Sequence, residues 1–358
     1  VDAMTPLDGL TWKRRPEAEM LDVTVVLLDD GYASTALMPI EVFHSAGALW
    51  GELTGTTSEP RFRVTTASLD GGPVRSPYAG LKMSPQCSIA DVKRTDIVVV
   101  PTSGLAFDEK ILEHSALLPW LTDHHAHGAY IAGVCMGSGY LAEAGLLDGR
   151  KATTHWALSD NFKRRYPDVD WRPDMFVTED SRLLCSGGLT AAADVSLYLV
   201  EKLCGHEVAV QTAKALLLNM PRANQSGYAM LPLSPPHNDD AVRGAEHMLQ
   251  SRFREEICVD DLASGAGMSA RNFLRRFKAA TGRLPSDYLR AVRIESAKAM
   301  LEHERASVQS IAASVGYSDI SFFRTLFKRA TGMTPAEYRA NFAAAAVRQH
   351  ESAELNKV

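Results

Sequence analysis

From Leu21 onward, short runs of consecutive apolar residues alternate with longer segments in which apolar residues recur every three or four positions. The runs at 22–28, 61–67, 96–101, 129–134 and 182–186 are the length of strands. Several of them, such as Ile97-Val98-Val99-Val100, are apolar on both faces, as a covered parallel sheet requires. The segments 39–49, 117–127, 136–144 and 191–203 have helical spacing. Strands separated by helices predict an α/β layer sandwich with a largely parallel sheet. The alternation stops near Leu218. Pro221, Asn224, Gln225, Gly227 and the run Leu231-Pro232-Leu233-Ser234-Pro235-Pro236 then read as a stiff linker without a core pattern. The expected division is a flexible N-terminus at 1–20, an α/β domain at 21–218, a linker at 219–238, an all-α domain at 239–341 and a tail at 342–358.

The last domain repeats itself. Leu262-Ala263-Ser264-Gly265-Ala266-Gly267-Met268-Ser269 returns 49 residues later as Ile311-Ala312-Ala313-Ser314-Val315-Gly316-Tyr317-Ser318. Beyond a one-residue change near Asp319 the offset is 50. Phe273 then matches Phe323, Phe277 matches Phe327, Thr281-Gly282 matches Thr331-Gly332, Pro285 matches Pro335 and Tyr288 matches Tyr338. Each copy reads as helix, turn, helix. Gly267 and Gly316 allow the left-handed stop of the first helix, and Ser269 and Ser318 are placed to cap the second. Phenylalanines four apart send one stripe of that second helix inward. The opposite stripe carries Arg271, Asn272, Arg275 and Lys278 in the first copy, and Ile320, Ser321, Arg324, Thr325 and Lys328 in the second. Such a stripe suits a helix that reads base edges in the major groove of DNA. Residues 285–302 read as one long helix joining the copies.

Charge sharpens this. Residues 262–341 hold 13 Lys and Arg against six Asp and Glu, a net of +7. The whole chain is −5, which leaves −12 on the rest. A basic module on an acidic chain fits binding to phosphates. At 46% apolar content the chain can build real cores. The first twenty residues have no apolar leader core and no run approaches 18 apolar residues, so neither secretion nor a membrane span is expected. Five cysteines without a CxxC pair read as reduced thiols, in keeping with a cytoplasmic, nucleoid-associated place.

Residues 239–341 resemble the AraC/XylS-type DNA-binding domain. The resemblance rests on Gly316-Tyr317-Ser318-Asp319 followed by Phe323, Phe327, Gly332, Pro335 and Tyr338-Arg339. One position departs from the family: Arg275 stands two residues before Phe277, but Thr325 stands before Phe327, with Arg324 beside it. The resemblance implies double-stranded promoter DNA as partner, with RNA polymerase as a further one.

In the first domain, chemistry concentrates at Ile131-Ala132-Gly133-Val134-Cys135-Met136-Gly137-Ser138-Gly139. A strand runs into Cys135 and a helix leaves after it, with small residues that permit the tight turn of a nucleophile elbow. A helix N-terminus beneath such a thiol lowers its pKa; a small buried Cys at a crowded turn is the other reading of the same residues. His124-His125-x-His127 reads either as a metal cluster or as a solvated helix end.

With Pro39-Ile40-Glu41-Val42-Phe43, Thr153-Thr154-His155-Trp156 and Ser186-Gly187-Gly188-Leu189-Thr190 around it, the elbow resembles the glutamine-amidotransferase-like ThiJ/PfpI fold over residues 21–218. That resemblance implies a flavodoxin-like parallel-sheet sandwich. Fused ahead of an AraC-type domain, it is similar to the GlxA-like class of transcriptional regulators. Enzymes of the fold place His directly after the nucleophile, and here Met136 stands there. His155 is either a substitute base or a hydrogen-bonded pocket residue. A thiol without a base is a poor hydrolase, so the implied function is a non-enzymatic regulator without a cofactor, its pocket sensing a small metabolite; the alternatives are a cysteine amidohydrolase and a thiol redox sensor. The expected pocket wall is Asp30, Glu41, Ser103, Gly104, Cys135, Met136, His155, Trp156, Gly188 and Thr190. Backbone N–H groups at Gly104 and Met136 suit a carboxylate, such as that of an amino-acid-like effector. Apolar surface on residues 195–203 predicts a homodimer through this domain.

Overall fold

The computed structural model describes residues 20–343, apart from 79, 105, 223, 224, 229–232 and 236. The expected flexible N-terminus and tail therefore fall, but for Met20, Phe342 and Ala343, outside the described residues, as do parts of the expected linker. The chain divides into two compact units, Val1–Ala223 and Asn224–Val358.

In the first unit the apolar runs become a seven-stranded sheet. Its order across is Val177–Asp180, Leu183–Ser186, Tyr130–Val134, Ile97–Val100, Leu21–Val26, Phe62–Ser68 and Cys87–Ser88. Every pairing is parallel except that of Val177–Asp180 with Leu183–Ser186. The strands Ile97–Val100 and Tyr130–Val134 are buried along their whole length, which is why neither carries a charged residue. Helices Ser34–Ser45, Ala191–Cys204 and His206–Ala215 pack together as one group, and Leu117–Ala126 with Gly137–Glu143 as another.

Two helical expectations change. The helix expected to begin at Pro39 begins at Ser34 and carries Pro39 within it, and a second short helix, Leu49–Thr54, follows. The expected spare surface on 195–203 is absent. Val195, Leu197, Leu199 and Val200 are fully buried, because Ser34–Ser45 and His206–Ala215 cover Ala191–Cys204. The polar sequence of His206–Ala215 had concealed the second cover.

The second unit is helical: Asp240–Ser251, Val259–Gly265, Ala270–Thr281, Pro285–His303, Val308–Ser314, Ile320–Thr331 and Pro335–Phe342. The sequence repeat is a repeat in space. Phe273 and Phe277 stand 5.5 Å apart, Phe323 and Phe327 5.7 Å. Tyr288 meets Phe277 edge-on at 5.6 Å and 88°, Tyr338 meets Phe327 at 5.5 Å and 83°. Each copy packs its own apolar cluster, and the long helix Pro285–His303 serves both, giving Tyr288 and Val292 to the first, Ile294, Ala297 and Leu301 to the second. After each reading helix a left-handed glycine, Gly282 or Gly332, closes the turn, and the preceding threonine hydroxyl donates to the Phe277 or Phe327 carbonyl at 2.8 Å.

The caps explain the change of offset. Ser269 caps the first reading helix through the Asn272 N–H, but the second is capped by Asp319, which accepts from Ser321 and Phe322, and not by Ser318. Ser318 is the inserted residue, pushed into the turn. Parts of the expected linker belong to this unit: Gln225 is buried, Tyr228 packs edge-on against Phe342 at 5.0 Å, and Ser234 and His237 bond the buried Glu246 at 2.5 and 2.9 Å.

Candidate functional site

The carboxyl ends of the parallel strands are where an open α/β sheet leaves a crevice. Leu21–Val26 leads to Asp30, Ile97–Val100 to Ser103 and Gly104, Tyr130–Val134 to Cys135 and Met136, and Leu183–Ser186 to Gly188 and Thr190. These strands are neighbours, so residues far apart in sequence meet at one edge. Cys135 sits at the predicted elbow with φ of +56°. Its surroundings demand glycine: a Cβ on Gly133 would press into Ser138, on Gly137 into the Val100 carbonyl and on Gly139 into the Phe107 ring.

Of the two readings of Cys135, a thiol made acidic by the helix and a small buried Cys, its burial favours the second. Burial pushes Cys135 up to about 11, outweighing hydrogen bonds from the Met136 N–H, the Thr102 hydroxyl and the His155 N–H. Such a group stays a thiol at neutral pH. The His155 Nδ1 accepts from the Ala157 N–H at 3.2 Å, which favours the ring proton on Nε2, and burial lowers the pKa of the ring. His155 packs beside Gly188, where a Cβ would stand 3.3 Å from its Cδ2, and against Trp156 at 5.2 Å.

The other expected wall residues fall into two sets. Ser103 and Met136 are buried. Ser103 accepts from the Tyr140 hydroxyl at 2.6 Å, and that hydroxyl bonds His114 Nδ1 at 2.7 Å. Asp30 is exposed and paired with Lys110 at 2.6 Å, and Gly104, with φ of +90°, packs against the Asp30 backbone. Glu41 is exposed on its helix, so its loss would leave no buried group unpaired. The three histidines of 124–127 diverge: His124 is buried against Trp120, His125 bonds the Ser181 carbonyl, and His127 bonds the Asp123 carbonyl. His124 is thus a core residue and not a solvated cap.

Several contacts at this edge were not legible in the sequence, although Thr154 and Asp194 lie in its motifs. Thr154 donates to the Cys135 carbonyl at 2.9 Å. Buried Asp194 receives the Arg222 backbone N–H at 2.8 Å and its Nη2 at 2.6 Å, while the same Nη2 donates to Thr190 at 3.1 Å and the guanidinium lies over Phe176 at 4.1 Å. A carboxylate among the apolar residues of the first turns of Ala191–Cys204 was the available signal, since a buried charge needs a partner.

In the second unit Arg271, Arg275 and Lys278 are exposed on Ala270–Thr281, with Arg275 donating to half-buried Asn272 at 3.0 Å. Arg276, one residue on, is turned inward against Asp239. On Ile320–Thr331, Ser321, Arg324, Thr325 and Lys328 are exposed and Ile320 is half-buried. Phe322, which the sequence reading passed over, is also exposed.

Residues 23–202 match the model of the DJ-1/PfpI family, and residues 262–341 match a model described as a helix-turn-helix domain. The HTH-type transcriptional regulator CdhR of Pseudomonas aeruginosa is 27% identical over 281 residues, covering 78% of this chain and 82% of that protein. The HTH-type transcriptional regulator GlxA of Rhizobium meliloti is 28% identical over 215 residues, 59% of this chain and 65% of its own. An isonitrile hydratase of Pseudomonas putida is 33% identical over 174 residues, 47% of this chain and 72% of its own.

Proposed function

This chain belongs to the DJ-1/PfpI family, and we propose that it uses that fold as the non-catalytic, ligand-sensing input of a DNA-binding transcriptional regulator. The observation that carries the reading is the duplicated helix-turn-helix, each copy with its own core and a bare polar and basic face on its second helix. Both reading helices enter successive major grooves on one side of the duplex. Arg275 reads a base and Lys278, nearer the helix end, meets phosphate. Arg275→Ala should cost about 1–3 kcal/mol on the preferred duplex and relax preference at one base pair, whereas Lys278→Ala should weaken all sequences alike. Equilibrium binding to preferred and scrambled duplexes decides it; Arg275→Ala binding both as wild type does would refute the base-reading role.

The crevice binds its effector without transforming it. Its chemistry suits a small anion such as a carboxylate, met by the Nε2–H of His155 and the Thr190 and Arg222 edge. RNA polymerase and a second copy of the chain complete the set of partners. Exposed Leu37, Leu53 and Leu217 on and beside the packed helices Ser34–Ser45, Leu49–Thr54 and His206–Ala215 offer apolar surface for pairing. No helix among the described residues is long and apolar enough to cross a membrane, which suits action on DNA in the cytoplasm.

The similarity to an isonitrile hydratase favours one second reading, a Cys135-dependent enzyme. Cys135→Ser separates the two. The sensor reading expects unchanged DNA affinity and an unchanged shift of that affinity on adding cell metabolite extract. A turnover of nitrile, isonitrile or amide substrates near 1 per second that disappears in this variant would establish the enzyme instead.

A further inference from the structure

We propose that Phe322 is a specificity-determining residue whose ring reads a thymine methyl group in the major groove. This rests on the reading of Ile320–Thr331 as a DNA-contacting helix. The other phenylalanines of this unit belong to its two clusters. Phe323 and Phe327, on the same helix, are fully buried, yet Phe322 leaves 53% of its surface to solvent. It therefore adds little to the core.

Its position is constrained. Asp319 accepts from the Phe322 N–H at 3.1 Å, so the backbone is fixed in the first turn of the helix, the part of a reading helix that meets base edges. One side of the ring leans edge-on against Tyr317 at 6.2 Å; Tyr317 is itself buried and faced by the Arg293 guanidinium at 5.2 Å. The ring is thus braced from the protein side and bare on the other. Arg329, seven residues on and so on the same face of the helix, is exposed, as are Arg324 and Lys328 elsewhere on it. A polyanion matches such a helix, and thymine is the base that offers a methyl group in the major groove.

The internal repeat supplies an independent argument. At the offset of 50 that pairs Phe273 with Phe323, Phe322 corresponds to Asn272. One helix thus offers an amide, suited to adenine, where the other offers a phenyl ring, suited to a thymine methyl. The two copies would read different half-sites through the same position.

The test starts from duplexes selected by the full chain from a random pool, with each thymine of the selected site replaced in turn by deoxyuridine, which lacks only the methyl. One replacement, in the half contacted by the second copy, should weaken wild-type binding about fourfold, the worth of one buried methyl-sized group. Phe322→Ala should bind the thymine and deoxyuridine duplexes equally, with an unchanged thermal midpoint. A selected site at which no replacement distinguishes wild type from Phe322→Ala would overturn the inference alone, as would a lowered midpoint, which would assign the ring to the fold. Failure of the wild type to select any sequence would overturn the DNA reading beneath it.

Discussion

Phe327→Ala is expected to destabilise the second helix-turn-helix by about 3–5 kcal/mol and to halve the DNA contact without abolishing it. Phe327 is fully buried between Phe323 and Tyr338 in the cluster that also holds Ile294, Leu301, Ile311 and Val315. Its equivalent Phe277 lies in a separate cluster with Val242, Leu249, Phe273 and Tyr288. Half-buried Phe253 packs against both. Removal of one ring opens a cavity in one cluster, and the lost transfer energy and the cavity add. For a module this small that loss is comparable to the whole margin of stability. The second reading helix then loses its seat, while the first keeps its cap at Ser269, its left-handed stop at Gly282 and its Tyr288 contact. Urea unfolding followed by fluorescence should show the loss; a shift under 1 kcal/mol would contradict it.

Arg222→Ala should cost about 3 kcal/mol, because it strands the buried Asp194 carboxylate. The Asp194 side chain is 5% exposed, and Arg222, 30% exposed, bonds it through backbone and guanidinium together. The partial exposure of Arg222 sets the estimate at the lower end of the range for breaking a buried pair. For a unit of this size the thermal midpoint should fall by about 6–12 °C. Arg222→Lys should recover little, since a point charge cannot reproduce the forked contact with Asp194 and Thr190 or lie flat on Phe176. Arg222→Ala with Asp194→Leu should recover most of it, because the stranded charge is gone. If the single and double variants melted together, the stranded carboxylate would not be the cause. The pair lies at the exit from the α/β unit and bonds Thr190 at the crevice edge, so the single variant should also lose the effector response while keeping DNA binding.

What could be read from the sequence was whatever burial imposes on composition. Ile97–Val100 and Tyr130–Val134 are apolar on both faces because both faces are covered, and the phenylalanine pairs recur because each copy fills its own core. The edge strand Val177–Asp180, half of it acidic, lacks that signature and was missed. So was His206–Ala215, whose covered face is made of small residues such as Ala209 and Ala213. Helical spacing alone does not show that the helix starts before Pro39, yet it begins at Ser34 and accommodates the proline five residues in. At the site, backbone shape was legible and electrostatics were not. The glycines around Cys135 forecast the elbow, but the thiol pKa depends on its depth and on Thr102 and His155, brought in from other strands. The Lys110 pairing with Asp30 spans 80 residues, and Arg222 was hidden among linker residues.

The central claim is that one chain places two reading helices on one face of DNA, and a hydroxyl-radical footprint on a selected duplex tests it most directly. Wild type should protect two patches about one helical turn apart on the same face, and Phe327→Ala should protect only one of them. A single patch in wild type, or uniform protection that ignores the sequence, would contradict the account.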